Sequence, residues 1–574
     1  MGGQVTRAAG GERGERRLRV VVFTAGALAP VNRVFFERLA REPGVDLCGI
    51  VVDEYRRPRK GLAARARAAL REDGWGWLGF KLAAKGRALL GRLGLALFER
   101  GRRRVDGEQS YEALSHRSAV AVYRVADIHG EESLALIRSL APDLGVIVGG
   151  RILRESVITI PGQGTLNIHK RKVPEYRGGG PVGYWEVLAG ERSIGVTIHY
   201  ATARVDAGPV LAEATIPVDE CDTLESLGIK ADLLGARLYL ESVRRVAAGR
   251  REGWAQDQAS GRTYRAPSEF QVWKLERRLK RKAARLMPAG PSPAAAARVL
   301  LQYALALPLL RYHRRRLARL RRLPIAIFFY HVVTNRPVNH LCLPLHVFAR
   351  QMEFLTAHYR VVSLDEAVAR LASGANDELA AVLTFDDGYR DNVWAVEYLR
   401  YYDIPATFFV SIGHVRDGRP FDHDRRRGFE QAAPMSVEDV RRLAADGFLV
   451  GSHAVYHEDF GVLDPGTADE VLREGRDLIR ELIGPAPEHF SFPKGRRQEN
   501  ITAESFALAQ KHFRYVHSAY GGYNFPTAGR SHFLRIPNPG SVLELALLMD
   551  GYRGFRACLG GDAWGIRTDT LPPY

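Results

Sequence analysis

The sequence predicts an α/β protein built in two units. The amino-terminal half reads as a Rossmann-like, doubly wound parallel sheet, and the carboxyl-terminal half as a distorted β/α barrel. Three observations predict this. A chain of 574 residues is too long for one core and suggests roughly two to four domains. Residues 18–150 alternate apolar strand-like runs with helical stretches at βαβ spacing. From Pro324 onward, successive strand-like runs each end in a reactive residue, as the strands of a β/α barrel do at its active face.

Composition narrows the class. Hydrophobic content of 46% and charged content of 26% are ordinary for a globular chain. The net charge of +18 is not, and implies attraction to something anionic: a nucleotide-linked sugar, a polyanionic glycan, an acidic membrane surface or nucleic acid. Cys48, Cys221, Cys342 and Cys558 are scattered, with no Cys-x-x-Cys pair. That argues against a disulfide framework and a cysteine zinc site, and fits a reducing compartment.

Residues 1–17 are rich in Gly, Arg and Glu and read as a disordered tail. Arg16 to Ala29 imitates a signal peptide, but the same residues serve as the first strand and glycine turn of a βαβ unit whose second strand is Val45 to Asp53. The strand reading is preferred. No uninterrupted apolar run is long enough to span a membrane. The basic stretch from Arg56 to Arg104 is helix-prone at Gly61–Leu70 and Leu89–Phe98. It reads first as a solvated amphipathic pair of helices, with a membrane-surface or partner-binding helix as the alternative.

A second βαβ unit follows. Val120–Val125 is strand-like, Glu131–Leu140 helical, and Asp143–Gly150 a buried strand ending in Gly149-Gly150. Open α/β sheets bind ligands at such carboxyl ends. Next, strand alternation places Asn167 and His169 on one face. An amide and an imidazole side by side can stabilise an oxyanion and shuttle a proton. A satisfied polar pair is the other reading of these two alone. Asp206, in the tight turn Val205–Pro209, completes an Asn/His/Asp acyl-transfer set if it faces His169.

Residues 223–248 read as a closing helix. Glu269–Leu286 is a strongly basic helix, Ala294–Leu310 is apolar but carries Arg298 and Pro308, and Arg314–Arg322 adds arginines. The expectation is a packed interdomain helix pair, with attachment to anionic lipid as the alternative.

In the second half the strand-like runs end in His331, in Asp386-Asp387-Gly388, in Ser452-His453, and in Pro493-Lys494-Gly495. Adjacent carboxylates repel, and a bound cation relieves this by taking one as a ligand while the other serves as a base. His453 and His457 are expected one helical turn apart, a spacing that lets both bind one metal. With Asp387 they form a two-histidine, one-carboxylate face that suits zinc and also iron or cobalt.

The first half, from about Leu18 to Arg250, resembles the folate-dependent formyltransferases. The resemblance rests on Pro-Asp-Leu at Pro142, Asn-Ile-His at Asn167, Pro-x-Tyr-Arg-Gly at Pro174, Gly-Val-Thr-Ile-His at Gly195 and Asp-x-Gly at Asp206. It implies 10-formyltetrahydrofolate as donor, a primary amine as acceptor, and Asn167, His169 and Asp206 as catalytic residues. In that chemistry protonated His169 would help Asn167 hold the developing oxyanion. The pterin would lie against Val148, Gly149, Gly150, Arg151 and Ile152, and Arg177 is a candidate substrate contact. Where the family usually carries Ser-Leu-Leu, this chain has Lys170-Arg171-Lys172-Val173, a basic loop that could favour an anionic acceptor and equally leaves the acceptor open.

Residues 324–560 resemble the NodB-like polysaccharide deacetylases, through Thr-Phe-Asp-Asp-Gly-Tyr, Ser-His-x-x-x-His and Phe-Pro-x-Gly. The resemblance implies a divalent metal, with zinc the expected ion, bound by Asp387, His453 and His457. It implies Asp386 as the base that activates water and His331 as the acid. Pro493, Lys494, Gly495 and Arg535 are candidate substrate contacts. Arg535 is also a candidate to orient Asp386, in place of the arginine the family often carries in its third motif.

The expected organisation is a tail at 1–17, a formyltransferase-like domain at 18–255 with the insertion at 56–104, a basic helical linker at 256–323, the deacetylase-like domain at 324–560 and a tail at 561–574. The expected function is bifunctional: removal of an N-acyl group from an amino sugar or glycan, and formylation of an amine, on the same sugar in the economical case. The alternatives are two independent activities, or a deacetylase carrying a non-catalytic binding module. The expected partners are amino-sugar, sugar-nucleotide or glycan substrates, with contact to an anionic membrane as an extension and no nucleic acid. The expected place is the cytoplasm, extending to the inner membrane face.

Overall fold

The computed structural model describes residues 17–56, 61–82, 84–85, 110–257, 259–287, 292–559 and 564. The Leu89–Phe98 helix and nearly all of the two tails lie outside the described residues; Trp564 is buried. The chain divides into two compact units. Glu108–Val218 and Leu227–Leu275 belong to the first, and Asp219–Ser226 and Glu276–Tyr574 to the second.

The first unit is built on β1 (Leu18–Ala25), β2 (Val45–Asp53), β3 (Val122–Val125), β4 (Leu144–Val148), β5 (Thr165–His169), β6 (Tyr176–Gly178), β7 (Ser193–Tyr200), β8 (Val210–Pro217) and β9 (Arg262–Tyr264). Its main sheet runs in the order β3-β2-β1-β4-β5-β7-β8. The central strands are apolar almost throughout, as strands covered on both faces must be. The alternation in sequence predicts a parallel sheet. From β3 to β5 it is parallel, but β7 runs antiparallel to β5, and β8 to β7. For β8 the reason is the connection: no helix crosses over between β7 and β8, so the chain returns beside itself. The carboxyl end of β4 lies next to that of β5, because Ile147 is paired with Asn167. This brings the 148–152 segment to the sheet edge that carries His169.

The second unit contains β10 (Ile325–Tyr330), β11 (Val332–Val333), β12 (Cys342–Leu343), β13 (Arg360–Val361), β14 (Ala380–Phe385), β15 (Thr407–Val410), β16 (Leu449–Ser452), β17 (His489–Ser491), β18 (Tyr515–Ser518), β19 (His532–Leu534) and β20 (Ile536–Pro537). Its main sheet has the order β19-β18-β17-β16-β15-β14-β10-β20 and every pairing in it is parallel. The two ends of that order, β19 and β20, are separated in the chain by Arg535 alone. The sheet therefore curls until its first and last strands are joined by one residue, a nearly closed barrel.

The barrel interior is apolar and aromatic. Phe409 packs with Ile325, Ile327, Val382 and Phe533. It sits opposite Gly451, where a Cβ would come within 2.6 Å of its ring. The helix Pro293–Arg319 runs through Pro308 and into the arginine cluster, so it is much longer than the 294–310 run the sequence suggests. By length and composition it is apolar enough to cross a membrane. Its Tyr303, Ala306, Leu310 and Leu317 side is buried, while Leu301, Leu305 and Tyr312 are exposed.

Phe409→Ala leaves a cavity at the barrel centre. It is expected to destabilise the second unit by about 3–5 kcal/mol, read as a lower melting temperature. A change under about 1 kcal/mol would show that Phe409 is not a keystone of that core.

Candidate active sites

In the barrel, β14 ends at Phe385 and the next two residues are buried carboxylates with different surroundings. Asp386 is gripped by Arg535: Nη1 donates to Oδ1 at 2.6 Å and Nη2 to Oδ2 at 2.8 Å. Arg535 is itself fully buried, with Nη2 also donating to Ser491 Oγ at 2.6 Å and its guanidinium against the rings of Phe329 and Phe409. Burial by itself would raise Asp386. The Arg535 charge and hydrogen bonds, together with His453 and His331, outweigh burial, and the carboxyl is held below the ordinary range.

Asp387 faces the other way. Its φ of 70° lies in the left-handed region, uncommon for a residue with a Cβ. Its Oδ1 is buried without a hydrogen-bond partner. The Nε2 atoms of His453 and His457 each lie 3.4 Å from that oxygen. Among the described residues these three form the one group whose ligand atoms all lie within 4.8 Å of one another. His453 Nδ1 donates to the Ser491 carbonyl at 2.7 Å, which leaves Nε2 free to ligate. Burial pushes His457 down to about 3, the neutral form that binds metal, while the Asp386 and Asp387 carboxylates outweigh burial at His453 and raise it, so a cation there would displace the His453 proton. A buried carboxylate oxygen without a partner, faced by two imidazole nitrogens, fits a divalent cation.

His331 follows β10, and its Nδ1 is buried without a hydrogen-bond partner. It stands close enough to act electrostatically on Asp386, Asp387 and His457. His423 packs against His457, and its Nε2 lies 4.0 Å from Asp387 Oδ2 and 2.9 Å from the Tyr389 hydroxyl.

The first unit holds a second cluster. Asn167 on β5 pairs across the sheet with His199 on β7. His199 Nδ1 donates to the Tyr200 carbonyl at 2.9 Å, so its Nε2 accepts from Asn167 Nδ2 at 3.1 Å. Asp206, with φ 51°, stands between the two histidines. Its Oδ2 lies 3.5 Å from His169 Nδ1 and its Oδ1 3.6 Å from His199 Nε2, while the Gly178 N–H donates to Oδ2 at 3.0 Å. His169 Nε2 donates to the Tyr176 carbonyl at 2.8 Å. Burial holds His169 below its ordinary value against the pull of Asp206. The resting imidazole is neutral, which corrects the expectation of a protonated His169.

Comparison with known proteins bears on both clusters. Residues 99–243 match the formyl transferase family model, and residues 373–515 match the polysaccharide deacetylase model. The chain joins a formyl transferase segment to a polysaccharide deacetylase segment. Both are families of enzymes. The methionyl-tRNA formyltransferase of Bacillus velezensis is 32% identical over 161 residues, 28% of this chain and 50% of that protein. The methionyl-tRNA formyltransferase of Macrococcus caseolyticus is 33% identical over 150 residues, 26% of this chain and 48% of that protein. The chain thus spans about half the length of the curated relatives it matches. Among solved structures, IcaB from Ammonifex degensii aligns at 23% identity and TM-score 0.33, over 40% of this chain and 97% of that one. Glycinamide ribonucleotide transformylase 1 from Symbiobacterium toebii aligns at 20% identity and TM-score 0.28, over 42% of this chain and 95% of that one.

The formyl transferase segment brings Asn167, His169 and Asp206 together, and adds His199. The sequence places His199 in a strand motif, yet only the register of β5 against β7 reveals it as a neighbour of Asn167. Val148, Gly149 and Gly150 lead off β4 with positive φ at both glycines; Ile152 is exposed, while Arg151 is paired with Asp53 and Asp127. Arg177 is buried, with Nη2 donating to the Asp257 carbonyl at 3.4 Å. The basic loop is spent internally. Lys170 pairs with Asp232 and Lys172 with Glu191, and Arg171 is buried, with Nη2 donating to the Pro181 carbonyl. It therefore does not offer three free charges to an anionic acceptor.

In the deacetylase segment Asp386, Asp387, His453 and His457 converge as the motifs suggest. His453 and His457 are not on a helix, however. They flank a turn with positive φ at Ala454 and His457, and the turn folds His457 back onto Asp387. Arg535 holds Asp386 and is buried away from solvent, so it is a positioning residue and not a substrate contact. Pro493, Lys494 and Gly495 form the loop after β17, where Lys494 Nζ donates to Asp459 at 2.6 Å. His423 and Tyr389 went unnoticed as a pair. Tyr389 closes the Thr-Phe-Asp-Asp-Gly-Tyr motif and His423 lies in the Asp-His-Asp tripeptide Asp422–Asp424, but nothing in their spacing says that they meet.

Arg535→Met strands a buried carboxylate and is expected to cost about 3–5 kcal/mol. The pH dependence carries the sign. A depressed folded-state pKa gives stability that is present above the unfolded carboxylate value and lost as pH falls through the lower folded value. Thermal melts across acidic pH should show this loss in the wild type and a smaller loss in Arg535→Met, the remainder coming from other depressed carboxylates such as Asp387. An unchanged acid profile in the variant would mean that Arg535 does not hold Asp386.

Proposed function

We propose that the chain is a bifunctional enzyme that removes an N-acyl group from an amino sugar or glycan and formylates an amine. The observation that carries the first activity is the division of labour between two adjacent buried carboxylates, one facing two imidazoles and the other locked by an arginine. Asp387, His453 and His457 would hold a divalent cation, zinc by its donor set. Once bound, the cation would supply Lewis-acid polarisation of the acyl carbonyl and favour ionisation of water.

The chain's own residues supply the rest. Asp386 accepts the proton of the attacking water, and Arg535 fixes both its oxygens for that task. The acyl carbon becomes tetrahedral, the C–N bond breaks, and His331 gives the departing amine a proton. The products are a carboxylate and a free amine.

That free amine is the substrate class of the second activity. The formyl transferase family implies a formyl-folate donor, and 10-formyltetrahydrofolate is the proposed one, lying against the 148–152 segment. Asn167 donates to the oxygen on which charge develops when an amine attacks the formyl carbon. Neutral His169 takes the amine proton at Nδ1, Asp206 beside it stabilises the imidazolium formed, and the formyl C–N bond to the donor then breaks as that proton passes to the departing donor nitrogen. Burial and the neutral resting state of His169 support the base role. The polysaccharide deacetylase match supports a sugar or glycan as substrate, and the economical reading is that acetyl is removed and formyl added on one molecule, in the cytoplasm where reduced folates are found.

The test is mass spectrometry of N-acetylated and free-amine sugars, sugar nucleotides and glycans incubated with the protein, a divalent metal and 10-formyltetrahydrofolate. Loss of acetyl followed by gain of formyl on one molecule is expected. The two changes on different molecules would mean independent activities. His169→Ala should lower formyl transfer by about 10²–10⁴-fold while leaving acyl release intact. Formyl transfer that is undiminished by this variant would remove His169 from the chemistry, and its absence from the wild type would leave the first unit a binding module.

A further inference from the structure

We propose that the outer face of the Pro293–Arg319 helix docks the protein onto an anionic membrane surface, lying along the bilayer and not crossing it. Burial along the helix divides it into two sides. Tyr303, Ala306, Leu310 and Leu317 recur at helical spacing and are buried. Tyr303 donates to Asp550 at 2.5 Å and meets the edge of Tyr552. A helix tied to its own unit in this way has one face committed and cannot span.

The opposite side carries Ala297, Leu301, Leu305, Pro308 and Tyr312 at steps of three and four residues, all exposed. Leu301 and Leu305 are each 64% exposed and Tyr312 61%. Water-exposed leucines in register on one helix face cost free energy unless something apolar covers them.

The charge pattern says what covers them. The apolar stripe runs into a hollow of about 640 Å³ lined by Pro308, Arg311, Tyr312, Arg315, Arg316, Arg319 and Leu320. That lining contains four guanidinium groups and no carboxylate. A protein partner that was merely apolar would gain nothing from four arginines, and a free anion would gain nothing from the leucines. An anionic lipid surface uses both, with acyl chains beside the leucines and phosphate headgroups at the arginines. Tyr312 sits at the boundary, where an aromatic ring with a polar end is favoured.

The experiment is vesicle flotation of the full chain, with phosphatidylcholine vesicles and with equal parts phosphatidylcholine and phosphatidylglycerol. Binding to the anionic vesicles alone is expected, weakened by salt and not competed by inorganic phosphate at physiological concentration. Leu301→Asp with Leu305→Asp should abolish it. Arg311→Glu, Arg315→Glu and Arg319→Glu together should weaken it by roughly a hundredfold or more. All five positions are exposed, and matching melting curves confirm that the variants fold. Equal binding to both vesicle types, or none to either, would overturn the proposal. So would a concentration-dependent dimer by light scattering that Leu301→Asp with Leu305→Asp dissociates, since the face would then meet a second copy of the chain.

Discussion

The grip of Arg535 on Asp386 is the constraint from which the barrel site follows. Arg535 is the single residue between β19 and β20, the two strands at opposite ends of the sheet order. Its side chain turns inward there and reaches Thr384, Asp386 and Ser491, on or beside β14 and β17. Burying a carboxylate and a guanidinium costs several kcal/mol per ion, offset only when geometry is good and further hydrogen bonds are made. Here the pairing is two-pronged, and two hydroxyls accept from the same guanidinium. The seam of the barrel and the position of the base are therefore set by one interaction.

That grip also explains the neighbouring residue. With Asp386 turned toward Arg535, the chain takes Asp387 through a left-handed backbone conformation before Gly388. A positive φ at a residue with a Cβ is held only by surroundings that over-determine it, and such strain gathers at functional sites. The result is two like charges adjacent in sequence with different close partners. One is compensated by an arginine, and the other is left for a cation.

Much of this was legible in the sequence because catalytic groups sit at strand ends. Asp386, Asp387 and His453 follow apolar runs whose length and composition mark them as buried strands, and a barrel brings such ends together. Asn167 and His169 were legible through strand alternation. The rest depended on facts that spacing does not carry. His199 joins Asn167 only through an antiparallel register between β5 and β7. His457 returns to Asp387 through a turn, although its spacing from His453 suggests a helix. The basic loop at Lys170–Lys172 looked free because its acidic partners, Asp232 and Glu191, are 62 and 19 residues away. The neutral state of His169 comes from burial, which no motif states. Arg298 and Pro308 interrupt the apolar Ala294–Leu310 run in the sequence, yet the helix passes through both and on to Arg319.

The central claim is that Asp387, His453 and His457 bind a divalent cation while Asp386 stays outside the ligand set. Isothermal titration of the metal-stripped full chain with zinc tests it without reference to any substrate. The predicted result is a saturable site in the wild type that is lost in Asp387→Asn and retained in Asp386→Asn. Binding that survives Asp387→Asn unchanged, or that disappears in Asp386→Asn while Asp387→Asn keeps it, would contradict the assignment of the two carboxylates.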